Sequence, residues 1–169
     1  MKVKDLLSQV AKYAGGINFC YVPFTKIQEN IAKHCPEDLT TLIMRRYMMK
    51  IAEHIAKAND CLGLITGESI GQVASQTIQA MSCTDAVADM PVLRPVVGMD
   101  KEEIIKVAHK IDTFETSILP YEDCCTVFTP KHPRTKPVMK FVEQAENVMD
   151  MEALIDRAVK GTEVLKINR

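Results

Sequence analysis

No stretch of the 169 residues approaches the roughly 20 consecutive apolar residues of a bilayer-spanning helix. The opening residues, MKVKDLLSQVAKYAGG, read as an amphipathic helix rather than a signal peptide, so the expected location is cytoplasmic, with no membrane partner. Charge of one sign is also lacking. Lys and Arg number 21 against 22 Asp and Glu, a formal net charge of −1, which excludes the basic footprint of an autonomous nucleic-acid binder and leaves only local contact with nucleic acid. Six cysteines are present, but with irregular spacing and no export signal they make no disulfide framework and read as reduced thiols. Internal repeats and low-complexity blocks are absent. What remains, 47% hydrophobic and 25% charged residues, is the composition of one globular domain with an ample core.

Helical and strand patterns alternate along the chain. Val3, Leu6, Leu7, Val10, Ala11 and Ala14 recur at helical spacing over residues 2–14, and Gly15-Gly16 ends that helix before the strand-like INFCYVPF. TKIQENIAKHC predicts a short helix. PEDLTTLIMRRYMMKIAEHIAKAND predicts a long one, with Pro36 at its start and Leu39, Ile43, Tyr47, Ile51 and Ile55 on one stripe. CLGLIT reads as a second, buried strand, GESIGQVASQT as a turn opening a third helix, and VLRPVV as a short third strand. DKEEIIKVAHKI begins with a D-x-x-E capping pattern from Asp100 to Glu103. FETSILPYEDCCTVFTPKHPRTKP is Pro-studded and irregular, and residues 138–169 read as helical with a final strand at EVLKI. This order predicts an α/β fold, a parallel sheet with helices on both faces and ligands beyond the carboxyl ends of the strands.

GESIGQVASQT lies at such an end, yet it is neither G-x-G-x-x-G nor G-x-x-x-x-G-K-[ST]. Ser69 and Gln72 fit an S-x-x-Q capping box, which leaves other N–H groups of the first turn free for an anion or a base edge. Gly67 admits close approach to the backbone. Gln72 and Gln76, four apart, would share one helix face and suit a nucleobase or ribose. The alternative is a tight crossover with solvated glutamines. Arg45 and Arg46 stand roughly 100° apart around the long helix, so one can reach a phosphate while the other points elsewhere; both can equally be surface arginines. The methionines read as core filler. Lys101 stands at a helix N-terminus, where a cation is disfavoured unless an anion is also present. His34, His54 and His109 have no ligand-like partners. In the loop, adjacent Cys124 and Cys125 follow Glu122 and Asp123 and precede the basic Lys131, His132, Arg134 and Lys136. Cys-Cys-x6-His matches no zinc spacing, so no metal site is expected, and a reactive thiol is the sharper reading.

IMRRYMM, TGESIGQVASQT, PVLRPVVGMDKEEII and SILPYEDCCTVFTPKHP, in that order from about Val22 to Pro137, resemble the C-terminal part of the PP-loop adenylation domain of the tRNA 4-thiouridine synthetases, which also serve thiamine thiazole synthesis in some bacteria. The resemblance implies an adenine nucleotide alpha hydrolase-like fold. It implies an enzyme that uses ATP with Mg2+ to activate the C4 oxygen of a tRNA uridine as an adenylate, which persulfide sulfur then displaces. By the same resemblance Arg45, Gly67 and Gln76 bind nucleotide, Lys101 serves activity and Cys124 handles sulfur. The implied partners are tRNA and a cysteine desulfurase or other persulfide donor. That family carries an SGGxDS phosphate loop on an earlier strand, with further domains before it, and this chain has none of these. The expected organisation is therefore an N-terminally truncated PP-loop domain over 1–137 and a helical extension of the same domain over 138–169. The missing region or a second chain would complete it, a homo-oligomer is expected from the uncovered sheet edge, and the chain alone would be inactive. The alternative is a non-catalytic interaction module or iron-sulfur or thiol protein derived from that domain.

Overall fold

The computed structural model describes residues 2–73, 75–120 and 130–168. Helix α1 (Lys2–Ala14) buries Ala11 and stops at Gly15, whose φ of +81° suits a residue without Cβ. Strand β1 (Ile17–Tyr21) leads to α2 (Thr25–His34), a 3-10 turn (Glu37–Leu39) and the long α3 (Thr40–Ala58). After these come β2 (Leu64–Ile65), α4 (Ile78–Asp85) and β3 (Val92–Leu93). The order closes with α5 (Lys101–Lys110), α6 (Phe114–Ser117), α7 (Met139–Glu146), α8 (Met151–Lys160) and β4 (Glu163–Ile167).

Helix α3 is the axis of the core, and its apolar stripe is the reason. Leu39, Ile43, Tyr47 and Ile51 are all at most 3% exposed. Around them gather Ile27 and Ile31 of α2, Ala80 and Cys83 of α4, Val142 of α7, and Ile155 and Ala158 of α8. Met49 and Ala56, elsewhere on α3, hold Leu64 of β2 and Val87 in a second cluster. Met44, Met49 and Met81 are buried, as filler should be. Neither arginine of α3 is a surface arginine. Arg46 is 4% exposed and forks onto Glu146 of α7 (Nε to Oε1 2.6 Å, Nη2 to Oε2 2.8 Å), while its Nη1 donates to the Cys83 carbonyl.

The strands form two pairs. β2 and β3 run parallel, Leu64 opposite Val92 and Ile65 opposite Leu93, joined through α4 as a parallel pair requires a crossover. β1 instead pairs antiparallel with β4, from Ile17 opposite Ile167 to Tyr21 opposite Glu163. β2 and β3 are shorter than CLGLIT and VLRPVV suggest. Leu64 and Thr66 donate to the carbonyls of Pro91 (2.8 Å) and Leu93 (3.0 Å), and Pro95, which has no N–H, limits the ladder beyond. The larger departure is at residues 67–77, expected to begin a helix. Those the structure describes, 67–73 and 75–77, are not helical, and helix starts only at Ile78.

Candidate functional site

The loop after β2 is held by its own side chains. The Ser69 N–H donates to Gln76 Oε1 (3.1 Å) and the Ser69 hydroxyl to the Met99 carbonyl (2.7 Å). Ile70 N–H donates to the Val97 carbonyl (3.0 Å) and Gly71 N–H to that of Gln76 (3.1 Å). Gly71 sits at φ +78°, a conformation that breaks a helical run and favours glycine. The S-x-x-Q pattern of Ser69 and Gln72 is therefore not a capping box: Ser69 is 2% exposed and faces the chain beyond β3, and Gln72 is exposed. The cap is Thr77, whose hydroxyl oxygen accepts from Ala80 N–H at 3.1 Å. Gln72 and Gln76 consequently do not share a helix face. Gln76 closes the loop with its oxygen, and its amide donors meet no group among the described residues.

Beneath the loop lies a charge network that joins three elements. Arg45 of α3 donates to Glu68 Oε1 and to Ser75 Oγ (3.3 Å). Glu68 Oε2 accepts from Arg94 Nε (2.7 Å) and Thr66 Oγ1 (2.9 Å), and Arg94 grips both oxygens of Asp85. Glu68 is 5% exposed, Arg94 11% and Arg45 20%. A carboxylate buried this deeply needs cations close by, and the two arginines and two acids balance. The guanidinium of Arg45 is thus held against the loop, with part of its surface in solvent. Sequence reasoning passed over Glu68, Arg94 and Asp85. The available signal lay not within GES but between segments: an acid just past one candidate strand, CLGLIT, and an arginine in another, VLRPVV, which a parallel pairing would bring side by side.

Arg45, Gly67 and Gln76 therefore come together, and the bond from Ser69 to Met99 brings the start of α5 beside them. Gly67 is exposed, and a Cβ there would meet nothing within 4 Å. Lys101 is the exposed first residue of α5. Behind it Asp100 caps the helix by accepting from Glu103 N–H, while Glu103 returns the bond to Asp100 N–H, each at 2.8 Å, the box expected from D-x-x-E. A cavity of about 340 Å³ lies between the two segments, lined by Ile70, Gly71, Gln72 and 97–100. Cys124 and Cys125 lie outside the described residues. The basic stretch after them is placed: Arg134 pairs with Asp38 (2.6 Å), and the Thr135 carbonyl accepts from the Thr77 hydroxyl (2.7 Å). That loop therefore returns beside the start of α4. His34, His54 and His109 are exposed, and among the described residues no three His, Cys, Asp or Glu side chains are grouped to hold a metal. No helix among them is long and apolar enough to cross a membrane.

Comparison with known proteins gives this geometry its context. The family model described as "Thiamine biosynthesis protein (ThiI)" matches residues 1–151. The "Probable tRNA sulfurtransferase" of Acetivibrio thermocellus is 55% identical over 168 residues, covering 99% of this chain and 43% of that protein. Its namesake in Agathobacter rectalis is 54% identical over 169 residues, with the same two coverages. The chain thus spans less than half the length of these curated relatives. A crystal structure of a 4-thiouridine synthetase–RNA complex with bound ATP superposes with a TM-score of 0.93 at 36% identity, covering 99% of this chain and 44% of that one. The fold is accordingly the α/β, PP-loop ATPase fold that the motifs led us to expect.

Proposed function

The chain belongs to the ThiI family, and we propose that it forms part of a tRNA sulfurtransferase that uses ATP to activate a tRNA uridine and installs persulfide sulfur to give 4-thiouridine. The observation that carries this reading is the gathering of Arg45, Gly67, Gln76 and the start of α5 through the bonds of Ser69 and Glu68. The donor set fits a nucleotide. Gln76 has amide donors to spare for a base or ribose edge, Gly67 leaves room for close approach, and Arg45 offers a cation already oriented by Glu68. When bound, ATP supplies the adenylyl group that makes the uridine C4 oxygen a leaving group.

The protein's own part is then positional and electrostatic. Arg45 holds an anionic group, Gln76 orients the nucleoside, and Lys101, with no acid paired to it among the described residues, offers positive charge where oxygen charge grows. Cys124 is assigned to sulfur transfer, which requires a thiolate or persulfide. Mg2+ belongs to the reading as the counter-ion of the phosphates, and a cysteine desulfurase-type donor as the source of sulfur. Provision of sulfur for thiamine thiazole is a second proposed use of the same chemistry. Residues 138–169 are read as an extension of the same domain, supported by Val142, Ile155 and Ala158 lying in the core around α3.

The test supplies the remainder of the Acetivibrio thermocellus relative as a second polypeptide and measures 4-thiouridine in tRNA by mass spectrometry of nucleosides. Thiolation is expected with the wild-type chain, none with Cys124→Ser, and much of it retained with Cys125→Ser. Unimpaired thiolation by Cys124→Ser would remove that residue from the reaction.

A further inference from the structure

Ser69 touches both halves of the site while being buried itself. It is 2% exposed, and it gives its N–H to Gln76 Oε1 (3.1 Å) and its hydroxyl to the Met99 carbonyl (2.7 Å). With Oε1 taken, the Gln76 carboxamide has one orientation, and only its N–H groups remain for a ligand. Met99 leads directly to Asp100, whose carboxylate and N–H are both engaged with Glu103, and Lys101 is the next residue. A continuous run of hydrogen bonds and covalent bonds thus joins the Ser69 hydroxyl to the first turn of α5.

Holding the two segments together does not require that hydroxyl. Backbone bonds already join them, from Ile70 N–H to the Val97 carbonyl and from Thr66 N–H to the Leu93 carbonyl, each at 3.0 Å. Glu68 ties them again through Arg94 (2.7 Å). What the hydroxyl adds is the setting of Met99, and through it that of Lys101.

We infer that Ser69 is a positioning residue of the sulfurtransferase reaction: its N–H aims Gln76 at the nucleotide, and its hydroxyl sets Lys101 against the same nucleotide. The assignment rests on the proposed function. The two tasks use different atoms, so substitution separates them. Ser69→Ala keeps the N–H, and with it the orientation of Gln76, but loses the bond to Met99. Binding of ATP should then persist while the chemical step slows, since displacing a group by about 1 Å costs on the order of 10²-fold in rate.

The chain is combined with the remainder of the Acetivibrio thermocellus relative as a second polypeptide. The kcat and the KM for ATP are measured for thiolation of tRNA, and the urea midpoint of each variant records its stability. Ser69→Ala is expected to lower kcat by about 10- to 100-fold with the KM for ATP within about twofold of wild type. Ser69→Thr, which keeps the hydroxyl, should recover most of the rate. Asp100→Ala, at an exposed position, breaks the next link and should show the same split, with Asp100→Ser, another capping residue, restoring it. Unchanged kcat in Ser69→Ala or in Asp100→Ala would overturn the inference. So would a rise in KM equal to the fall in kcat, or a rate loss that follows the urea midpoint from variant to variant, as a purely structural serine would give. Should Ser69→Ala fail to fold, the two Asp100 variants decide alone. A wild-type complex that thiolates no tRNA would remove the proposed function and the assignment with it, whereas an active complex that the substitutions leave unmoved removes the assignment alone.

Discussion

Glu68 serves two arginines with one carboxylate, Arg45 through Oε1 and Arg94 through Oε2. Glu68→Gln leaves the two buried cations with half their compensation and should destabilise the fold by about 3 kcal/mol, read from urea unfolding. The GES stretch gave no notice of this, because burial of an acid depends on charges brought in from α3 and β3 rather than on its sequence neighbours. Glu53 makes a similar case with a pH signature. Burial alone would raise its pKa, but the Asp89 N–H and the ammonium groups of Lys57 and Lys50 outweigh it and hold the carboxyl below 4.5. A carboxyl lowered in the folded state stabilises above its unfolded pKa and loses that contribution as pH falls through the folded one. The stability gap between wild type and Glu53→Gln should therefore be full at neutral pH and shrink below about pH 4.5, measured as urea midpoints across pH. Cys35 responds in the opposite sense. Burial, aided by the negative charge of Glu146, pushes its thiol up to about 11, whereas Cys61 is exposed. Iodoacetamide at neutral pH should modify Cys61 well before Cys35, a ranking that peptide mass spectrometry reads directly.

At the scale of elements, α1 and α3 were legible because their apolar stripes run for several turns and end in recognisable signals, Gly15 and the polar AND. The box from Asp100 to Glu103 was legible because both partners belong to one local pattern. The S-x-x-Q of Ser69 and Gln72 has the same local form and misled, since the Ser69 hydroxyl is taken by Met99, thirty residues on, and Gly71 turns the chain aside. Thr77→Ala should cost about 1 kcal/mol by removing the cap of α4, while Gln72→Ala stays within about 0.5 kcal/mol, as exposed loop changes do. Thermal or urea unfolding of the two variants distinguishes a helix beginning at Ile78 from one beginning near Ile70. Residues grouped as nucleotide-binding by resemblance do meet in space, but through a loop rather than the helix face the spacing suggested.

For the molecule as a whole, the α/β class followed from the alternation of patterns, while the pairing of strands did not. Period-2 patterning identifies a strand without naming its neighbour, so the antiparallel partnership of β1 with β4 had no signal in either segment. The same holds for Arg46, which ties α3 to α7 and α4 through Glu146 and the Cys83 carbonyl. Arg46→Met alone leaves Glu146 buried without its cation and should cost about 3–5 kcal/mol. Arg46→Met combined with Glu146→Leu should recover most of that loss, a double-mutant cycle that unfolding free energies close.

The ladder between β1 and β4 sets a timetable for biogenesis. Its register joins Ile17 to Ile167, so β1 leaves the ribosome long before its partner exists, on the order of ten seconds at ordinary elongation rates. Until then the hydrogen-bonding groups of Ile17–Tyr21 on that side stay available to any other extended segment. Closing so long a loop is also entropically unfavourable until the helical core has shortened the effective distance between its ends. The expected order is helices around α3 first and the β1–β4 ladder last, with the nascent chain most open to chaperones, or to a wrong strand, in the interval.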